Sequence, residues 1–153
     1  MNTAHRTTSH AKRKYAADPL AIYRVLNRIE PFDARELLRL ELPIRMSYEA
    51  IKTGQGSESD FHDLAAAVNA TLVRSEDVDP LCIVTAELAR DALMRTWRRF
   101  EATGKWGFDG PALAEVEAGI ALHEQLIRNS TPLQMMQAMR KVIARGKAGA
   151  VAA

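Results

Sequence analysis

Apolar residues recur every three or four positions from residue 80 to residue 103. One apolar stripe in this stretch consists of Cys82, Ala86, Ala89, Leu93, Trp97 and Phe100. A second stripe, confined to its first half, consists of Leu81, Val84, Leu88 and Ala92. This spacing predicts one long helix over about residues 81–103, and apolar residues on two of its sides predict neighbours on both sides. We therefore expect a central helix in an α-helical domain.

Shorter apolar stripes, each preceded by a helix start signal, predict further helices before and after the central one. One signal is an Asp-Pro pair, which caps a helix and places proline in its first turn. The other is the capping box, in which two side chains satisfy free amides at a helix N-terminus. Asp-Pro occurs at 18–19 and 79–80, and capping-box patterns occur at 33–36 and 131–134. Ser57 with Asp60 supplies a cap and an acid in the first turn, where it complements the helix macrodipole. The predicted additional helices cover about residues 18–29, 34–53, 57–74, 111–128 and 132–146.

Pro43 interrupts the stripe of the predicted helix at 34–53, because proline cannot donate a backbone hydrogen bond and clashes with the preceding turn. Apolar positions nevertheless keep helical spacing from Leu37 to Ile51. We expect one helix that is kinked near Leu42-Pro43, with two helices meeting there as the alternative. Gly54 should follow the helix in the left-handed conformation that glycine adopts most readily.

The predicted fold is an all-α, single-domain bundle of five to six helices around a central helix at about 81–103. No stretch alternates apolar and polar residues as a strand would, and short connections favour antiparallel neighbours. We expect the bundle over residues 18–146, between a disordered basic tail at 1–17 and a flexible tail at 147–153. Ala86 and Ala89 are small enough to let a neighbouring helix approach closely.

Composition adds little to this picture. A length of 153 residues suits one domain, and 47% apolar with 26% charged residues is ordinary for a globular protein. The only cysteine, Cys82, lies on the main apolar stripe, so we interpret it as a small buried side chain rather than a reactive thiol. No apolar run is long enough to span a membrane, and no apolar segment follows the basic N-terminal residues, so we expect a cytoplasmic protein.

The distribution of charge leaves nucleic-acid binding open as an alternative function. The net charge of +2 does not by itself indicate a nucleic-acid-binding protein. Basic residues are nevertheless concentrated at both ends, with Lys12, Arg13 and Lys14 in the N-terminal tail and no acidic residue after Arg140. Such a tail could contact phosphates together with arginines of the central helix.

Candidate chemistry is sparse. The sequence contains no phosphate-binding loop, zinc-binding motif, cysteine pair or nucleophile motif. Glu58 and His62 could share a helix face, but a solvated pair is the better interpretation without a third ligand. His123 lies on an apolar stripe and is interpreted as a core or boundary residue. We therefore expect no enzymatic activity, no metal and no cofactor.

Two surfaces are candidates for binding a protein partner. The first is a basic strip of the central helix, for which the alternative is an ordinary solvated helix face. The second is the glycine-rich tip Lys105-Trp106-Gly107-Phe108, whose rings could either recognise a partner or pack under the helix ends. The candidate partner-binding residues are Arg95, Arg98, Arg99, Lys105, Trp106 and Phe108. A further apolar cluster that could form a homodimer contact contains Met135, Met136 and Met139.

The segments LPIRMSYEAIKTGQGSESDFHDLAAAVNATLVRSEDVDP (42–80) and TGKWGFDGPALAEVEAGIALHEQL (103–126) resemble a family of short helical proteins of unknown function, encoded by proteobacterial phages and other mobile elements. The resemblance covers roughly residues 36–143 and leaves the basic tail outside. It supplies no activity and no functional residues to carry over. It implies a protein of a bacterial host cell that binds a host or phage protein complex as a regulator or inhibitor.

Overall fold

The computed structural model describes residues 28–151 and contains five α-helices in that range. They are α1 (Ala34–Lys52), α2 (Glu58–Ser75), α3 (Pro80–Thr103), α4 (Gly110–Arg128) and α5 (Pro132–Val151). No strand occurs among the described residues, so the predicted all-α, single-domain fold is confirmed. The predicted basic tail and most of the predicted helix at 18–29 lie outside the described residues. Residues 28 and 29, at the end of that predicted helix, are not helical.

The helices begin where the capping patterns predict. Asp33 and Ser57 each form a complete capping box with the acidic residue three positions on. At the start of α5, the Thr131 amide donates to Gln134 Oε1 at 2.9 Å, and the Gln134 amide donates to Thr131 Oγ1 at 3.3 Å. These bonds satisfy amides that have no partner within the helix itself.

The predicted continuity of the helix at 34–53 and the predicted left-handed glycine after it are confirmed, while the kink near Leu42-Pro43 stays a prediction. Helix α1 continues through Pro43, so one helix and not two occupies this stretch. Gly54 follows α1 with φ of 78°, and Gly104 ends α3 with φ of 67°. The Gly104 amide donates to the Phe100 carbonyl at 2.7 Å, which closes the last turn of α3. A residue with a side chain rarely adopts this left-handed conformation, so the two glycines mark sharp helix ends.

Helix α2 packs against all four other helices, whereas the main packing partners of α3 are α2 and α4. The helix with neighbours on most sides is therefore α2 rather than residues 80–103. The main core cluster joins α1, α2, α3 and α4, and its largest buried side chains include Tyr48, Ile51, Phe61, Leu64, Leu93 and Ile120.

Small residues allow α3 and α4 to approach each other closely. Ala86, Ala89 and Ala92 of α3 are completely buried. Gly119 of α4 lies against Ala89 so closely that a Cβ atom on Gly119 would overlap the Cβ of Ala89. The same added atom would lie 3.9 Å from Cγ2 of Val68 on α2. The predicted close approach of a neighbouring helix is therefore confirmed at Ala89.

The second apolar stripe of α3 lacks the neighbour that its pattern predicts. Only Ala92 of this stripe is buried, while Leu81, Val84 and Leu88 are 72%, 50% and 49% exposed. The expectation of neighbours on both sides is wrong for these three residues. Helical spacing shows that a stripe is apolar, but not whether another helix covers it.

Helix α5 packs mainly on α2 and departs furthest from its predicted form. It continues to Val151, although a flexible tail was expected from residue 147. Met136 is half-buried, and Met139 and Ile143 are exposed. Among residues 132–148 of α5, Ala138 is the fully buried one. Helix α5 therefore leaves much of its apolar surface uncovered.

Two bidentate ion pairs join α1 to α4. Arg45 donates to Glu124 at 2.6 and 2.8 Å, and Arg128 donates to Glu41 at 2.8 and 2.9 Å. Each helix contributes one arginine and one glutamate to these pairs. The hydrogen bond to Glu124 raises the pKa of Arg45, and the bond to Glu41 raises that of Arg128.

Candidate functional site

Leu81, Val84 and Leu88 form a line of exposed apolar side chains on the outer face of α3, and we call these three residues the apolar line. Their spacing of three and four residues places them on one side of the helix over about two turns. The line begins at the helix start, where the Leu81 amide donates to the capping carboxylate of Asp79 at 2.7 Å. Single exposed apolar residues are ordinary, whereas an adjoining set on one face is typical of an interaction site.

Toward its C-terminal end the same helix becomes basic, and the first arginine there is already paired. The Arg95 guanidinium donates to Glu115 of α4 and lies 3.6 Å from Asp109 Oδ2. The hydrogen bond to Glu115 is the main reason that the pKa of Arg95 is raised. Arg95 therefore ties α3 to α4 and is less available to a partner than the sequence suggests.

The other predicted cations are available. Arg98, Arg99 and Lys105 are exposed, and none has a carboxylate within ion-pair distance in the part of the chain that the structure describes. The only protein acceptor near Arg99 in that part is the Phe108 carbonyl, 3.5 Å from Nη1. The structure thus leaves three of the four predicted cations free to meet an acidic partner or a phosphate.

The two rings of the predicted tip pack against the core. Trp106 is half-buried and stacks on Phe100, with ring centroids 4.0 Å apart and planes 7° apart. It also stacks on Phe61 at 5.5 Å, and Phe108 stacks on Tyr48 at 5.5 Å. Of the two alternatives for this tip, the structure favours rings that pack under the helix ends. Trp106 and Phe108 therefore have less ring surface available for direct contact with a partner.

His123 is buried in the bundle, as its place on an apolar stripe indicates. Its Nδ1 lies 2.8 Å from Thr71 Oγ1, and that hydroxyl also donates to the Ala67 carbonyl at 2.8 Å. The hydroxyl has one hydrogen, which it donates to the Ala67 carbonyl, so it must accept a hydrogen bond from His123 Nδ1. In the neutral ring the proton is therefore on Nδ1, and Nε2 is unprotonated. Burial lowers the pKa of His123 to about 4, so the ring is neutral at neutral pH.

The remaining candidates for chemistry stay separate from one another. His62 Nε2 lies 3.4 Å from Glu58 Oε1, and both side chains are exposed. Within the described residues no three His, Cys, Asp or Glu side chains come together in a way that could hold a metal ion. Cys82 is half-buried against a small cluster that contains Ala86, Leu122 and Leu126.

An open apolar groove of about 450 Å³ lies on α2 between α1 and α5, and it was not among the predicted surfaces. It is lined by small residues of α2 and larger apolar residues of α1, α4 and α5, among them Leu40, Ile44, Ala66, Ala70, Ile127, Met135, Met136 and Met139. Asp63 and His123 are the polar side chains in this lining. The methionine cluster that was expected as a homodimer contact is therefore a wall of this groove. The sequence feature that could have indicated the groove is the run of alanines on α2, because their short side chains leave space beside the helix.

The predicted nucleic-acid-binding residues Lys12, Arg13 and Lys14 lie outside the described residues. In comparisons with known proteins, no family model, no curated protein and no solved structure matches this chain. Among the described helices, none is both long enough and apolar enough to cross a membrane. The surfaces of the bundle itself are therefore the features that indicate a function.

Proposed function

We propose that this chain is a non-enzymatic interaction protein that binds another protein through the outer face of α3. The observation that carries the proposal is the apolar line, which stays in solvent on a helix whose other side is buried. Full burial of an exposed Leu or Val side chain is worth about 1.5–3 kcal/mol. Because these residues are half to three-quarters exposed, covering all three would contribute roughly 3–5 kcal/mol to binding.

The chemistry of α3 specifies the partner surface. Leu88 and Arg98 are ten residues apart, which corresponds to about 15 Å along the helix. A partner helix that is apolar at one end and acidic at the other meets both the apolar line and the free cations Arg98 and Arg99. Asp91 lies between the two parts of the face, so a carboxylate placed at the middle of the partner helix would be repelled.

As its biological role, we propose regulation or inhibition of a host or phage protein complex. The support for this role is the resemblance of residues 42–80 and 103–126 to proteins encoded by phages and mobile elements. A stoichiometric inhibitor needs a binding surface and no catalytic groups, which agrees with an interaction through α3.

A capture experiment with matched variants tests the α3 surface. Tagged wild-type chain is incubated with extract of the cells that encode it, and bound proteins are identified by mass spectrometry. The test variant is Val84→Asp/Leu88→Asp, and the control is Leu38→Asp/Leu42→Asp, whose residues on α1 have the same spacing and are 60% and 50% exposed. Far-UV circular dichroism melts verify that both variants fold.

The expected result is a protein that wild type and the α1 control capture and that the α3 variant does not. Charged residues at the apolar line would have to be buried without a partner on binding, which costs several kcal/mol. Equal capture by the α3 variant would place the interface elsewhere and overturn the proposal.

The second candidate function is nucleic-acid binding, favoured by the free cations Arg98, Arg99 and Lys105. The chain is titrated with duplex and single-stranded nucleic acid over a series of salt concentrations. Each cation that contacts a phosphate contributes about −0.9 to the slope of log affinity against log salt for duplex DNA. Arg98→Ala/Arg99→Ala should therefore reduce the slope by about two. Absence of binding at low salt would eliminate this candidate.

A further inference from the structure

The exposed residues of α3 continue the spacing of a coiled-coil seam beyond the apolar line. At the same alternating steps of three and four residues, Leu88 is followed by Asp91, Arg95 and Arg98. The Asp91 and Arg95 side chains are 62% and 39% exposed, and Arg98 is exposed as well. We call the apolar line together with these three residues the α3 seam, a strip about 26 Å long on one side of the helix. The other side of α3 carries its buried residues, Ala86, Ala89, Ala92, Leu93 and Thr96.

Asp91 is the acidic position of the α3 seam. Its carboxylate lies 3.6 Å from Arg90 Nη2, and because both side chains are exposed this ion pair contributes little in water. Arg95, one turn further on, is engaged with Glu115 and lies beside Asp109, so it is directed toward α4. A helix that covers the seam would remove Asp91 from water, and a buried charge without a partner is costly. The covering helix must therefore bring a cation to this position.

Arg98, at the far end of the α3 seam, requires the opposite charge, because it is one of the free cations described above. From Leu81 to Arg98, the seam therefore fits three apolar residues, then a basic residue, then an acidic one. Acidic residues stabilise a helix near its own N-terminus. A covering helix that runs antiparallel to α3 has its acidic residue at that end, whereas a parallel one has it near the C-terminus.

We infer that the partner segment bound by α3 is an amphipathic helix that packs antiparallel to the α3 seam as in a coiled coil. Counted from its acidic residue as position 1, it has a basic residue at position 8 and apolar residues at positions 11, 15 and 18. Position 1 faces Arg98, position 8 faces Asp91, and the apolar positions face the apolar line. This inference rests on the proposed function, because it specifies the partner of the same surface.

Two synthetic peptides test the charge pattern. Both carry glutamate at position 1 and leucine at positions 11, 15 and 18, with alanine and glutamine elsewhere, and they differ in having lysine or glutamate at position 8. Their binding to wild type, to Asp91→Lys and to the control Glu87→Lys is measured by fluorescence anisotropy. Glu87 is also exposed on α3 but does not belong to the seam. Wild type and the control should bind the lysine peptide roughly three- to tenfold more tightly than the glutamate peptide, and Asp91→Lys should reverse this preference.

An unreversed preference in Asp91→Lys would overturn the inference, and so would a lysine peptide that does not bind to wild type. The variant Val84→Asp/Leu88→Asp distinguishes this failure from failure of the proposed function. If the variant loses its captured protein from cell extract while the peptides fail either test, the α3 surface stands and the assigned charge pattern falls. If the variant still captures that protein, the proposed function falls as well.

Disulfide exchange tests the direction of the bound helix. A cysteine is added at the N-terminus of the lysine peptide, and the chain carries Cys82→Ala with either Ala102→Cys or Val78→Cys. Both introduced thiols replace exposed residues, and they lie beyond opposite ends of the α3 seam. The antiparallel arrangement predicts that the peptide links to Ala102→Cys. Preferential linking to Val78→Cys, or no preference between the two, would overturn the antiparallel direction.

Discussion

Replacing Gly119 by alanine tests the close approach of α3 and α4. The added methyl group would overlap the Cβ of Ala89, and neither atom can rotate away because both are attached directly to helix backbone. The two helices must therefore move apart. Such overpacking typically costs about 1–3 kcal/mol, and alanine returns up to about 1 kcal/mol through its better helix propensity. We expect a net loss of about 1–2 kcal/mol in the free energy of unfolding.

Urea denaturation followed by far-UV circular dichroism measures this loss. In a thermal melt, the same loss should lower the midpoint by roughly 2–8 °C for a domain of this size. The variant Ala89→Gly removes the opposing methyl group, so in Gly119→Ala/Ala89→Gly the helices can return to their original separation. The two substitutions should therefore be less destabilising together than their sum, with a coupling energy of about 1–2 kcal/mol.

Gly146→Ala is the matched control, because the glycine also lies within a helix and no atom lies within 4 Å of the added Cβ. It should stabilise the protein by about 0.5–1 kcal/mol. If Gly119→Ala is as stable as wild type, or more stable, and shows no coupling with Ala89→Gly, then α3 and α4 are not in contact at this point and the packing described above is incorrect.

Three further predictions concern the core. Leu93→Ala should lower the free energy of unfolding by about 2–5 kcal/mol, because Leu93 is buried in the main core cluster; an unchanged urea midpoint would contradict that position. Trp106→Ala should lower the thermal midpoint, whereas Lys105→Ala should not, because the Trp106 ring stacks on Phe100 and Phe61. The pKa of His123 is lowered to about 4 in the fold against 6.5 for a free histidine, so the unfolded state takes up the proton first as pH falls. The free energy of unfolding should therefore fall between about pH 6.5 and 4, and at pH 5 it should be about 2 kcal/mol lower than at neutral pH. Urea titrations should show this fall in wild type and not in His123→Gln.

Helix ends in this chain could be predicted from sequence because the interactions that determine them are local. The capping box at Asp33 and the reciprocal bonds between Thr131 and Gln134 involve residues three positions apart. The left-handed glycines Gly54 and Gly104 depend only on the turn that they close. Such features are present in the sequence whatever the rest of the chain does.

Which apolar residues are covered depends on other helices, and here prediction from sequence succeeded for the main stripe of α3 and failed for the second. Leu88 and Leu93 are the same residue type on the same helix, yet the first is exposed and the second is buried in the main core cluster. The position of Trp106 likewise depends on contacts with the distant residue Phe61. The groove combines residues from α1, α2, α4 and α5, so the alanines of α2 could indicate a low helix face but not the walls that the other helices add.

The two ion pairs between α1 and α4 also select the alignment of these helices. Arg45 faces Glu124 and Glu41 faces Arg128, with each pair one turn from the other. Sliding α1 by one turn in one direction would bring Arg45 to Arg128, and sliding it in the other would bring Glu41 to Glu124. Either slip replaces attraction with like-charge repulsion, while the apolar contacts around it could be remade. The main effect of the two pairs is therefore to select one register of α1 against α4, rather than to add stability.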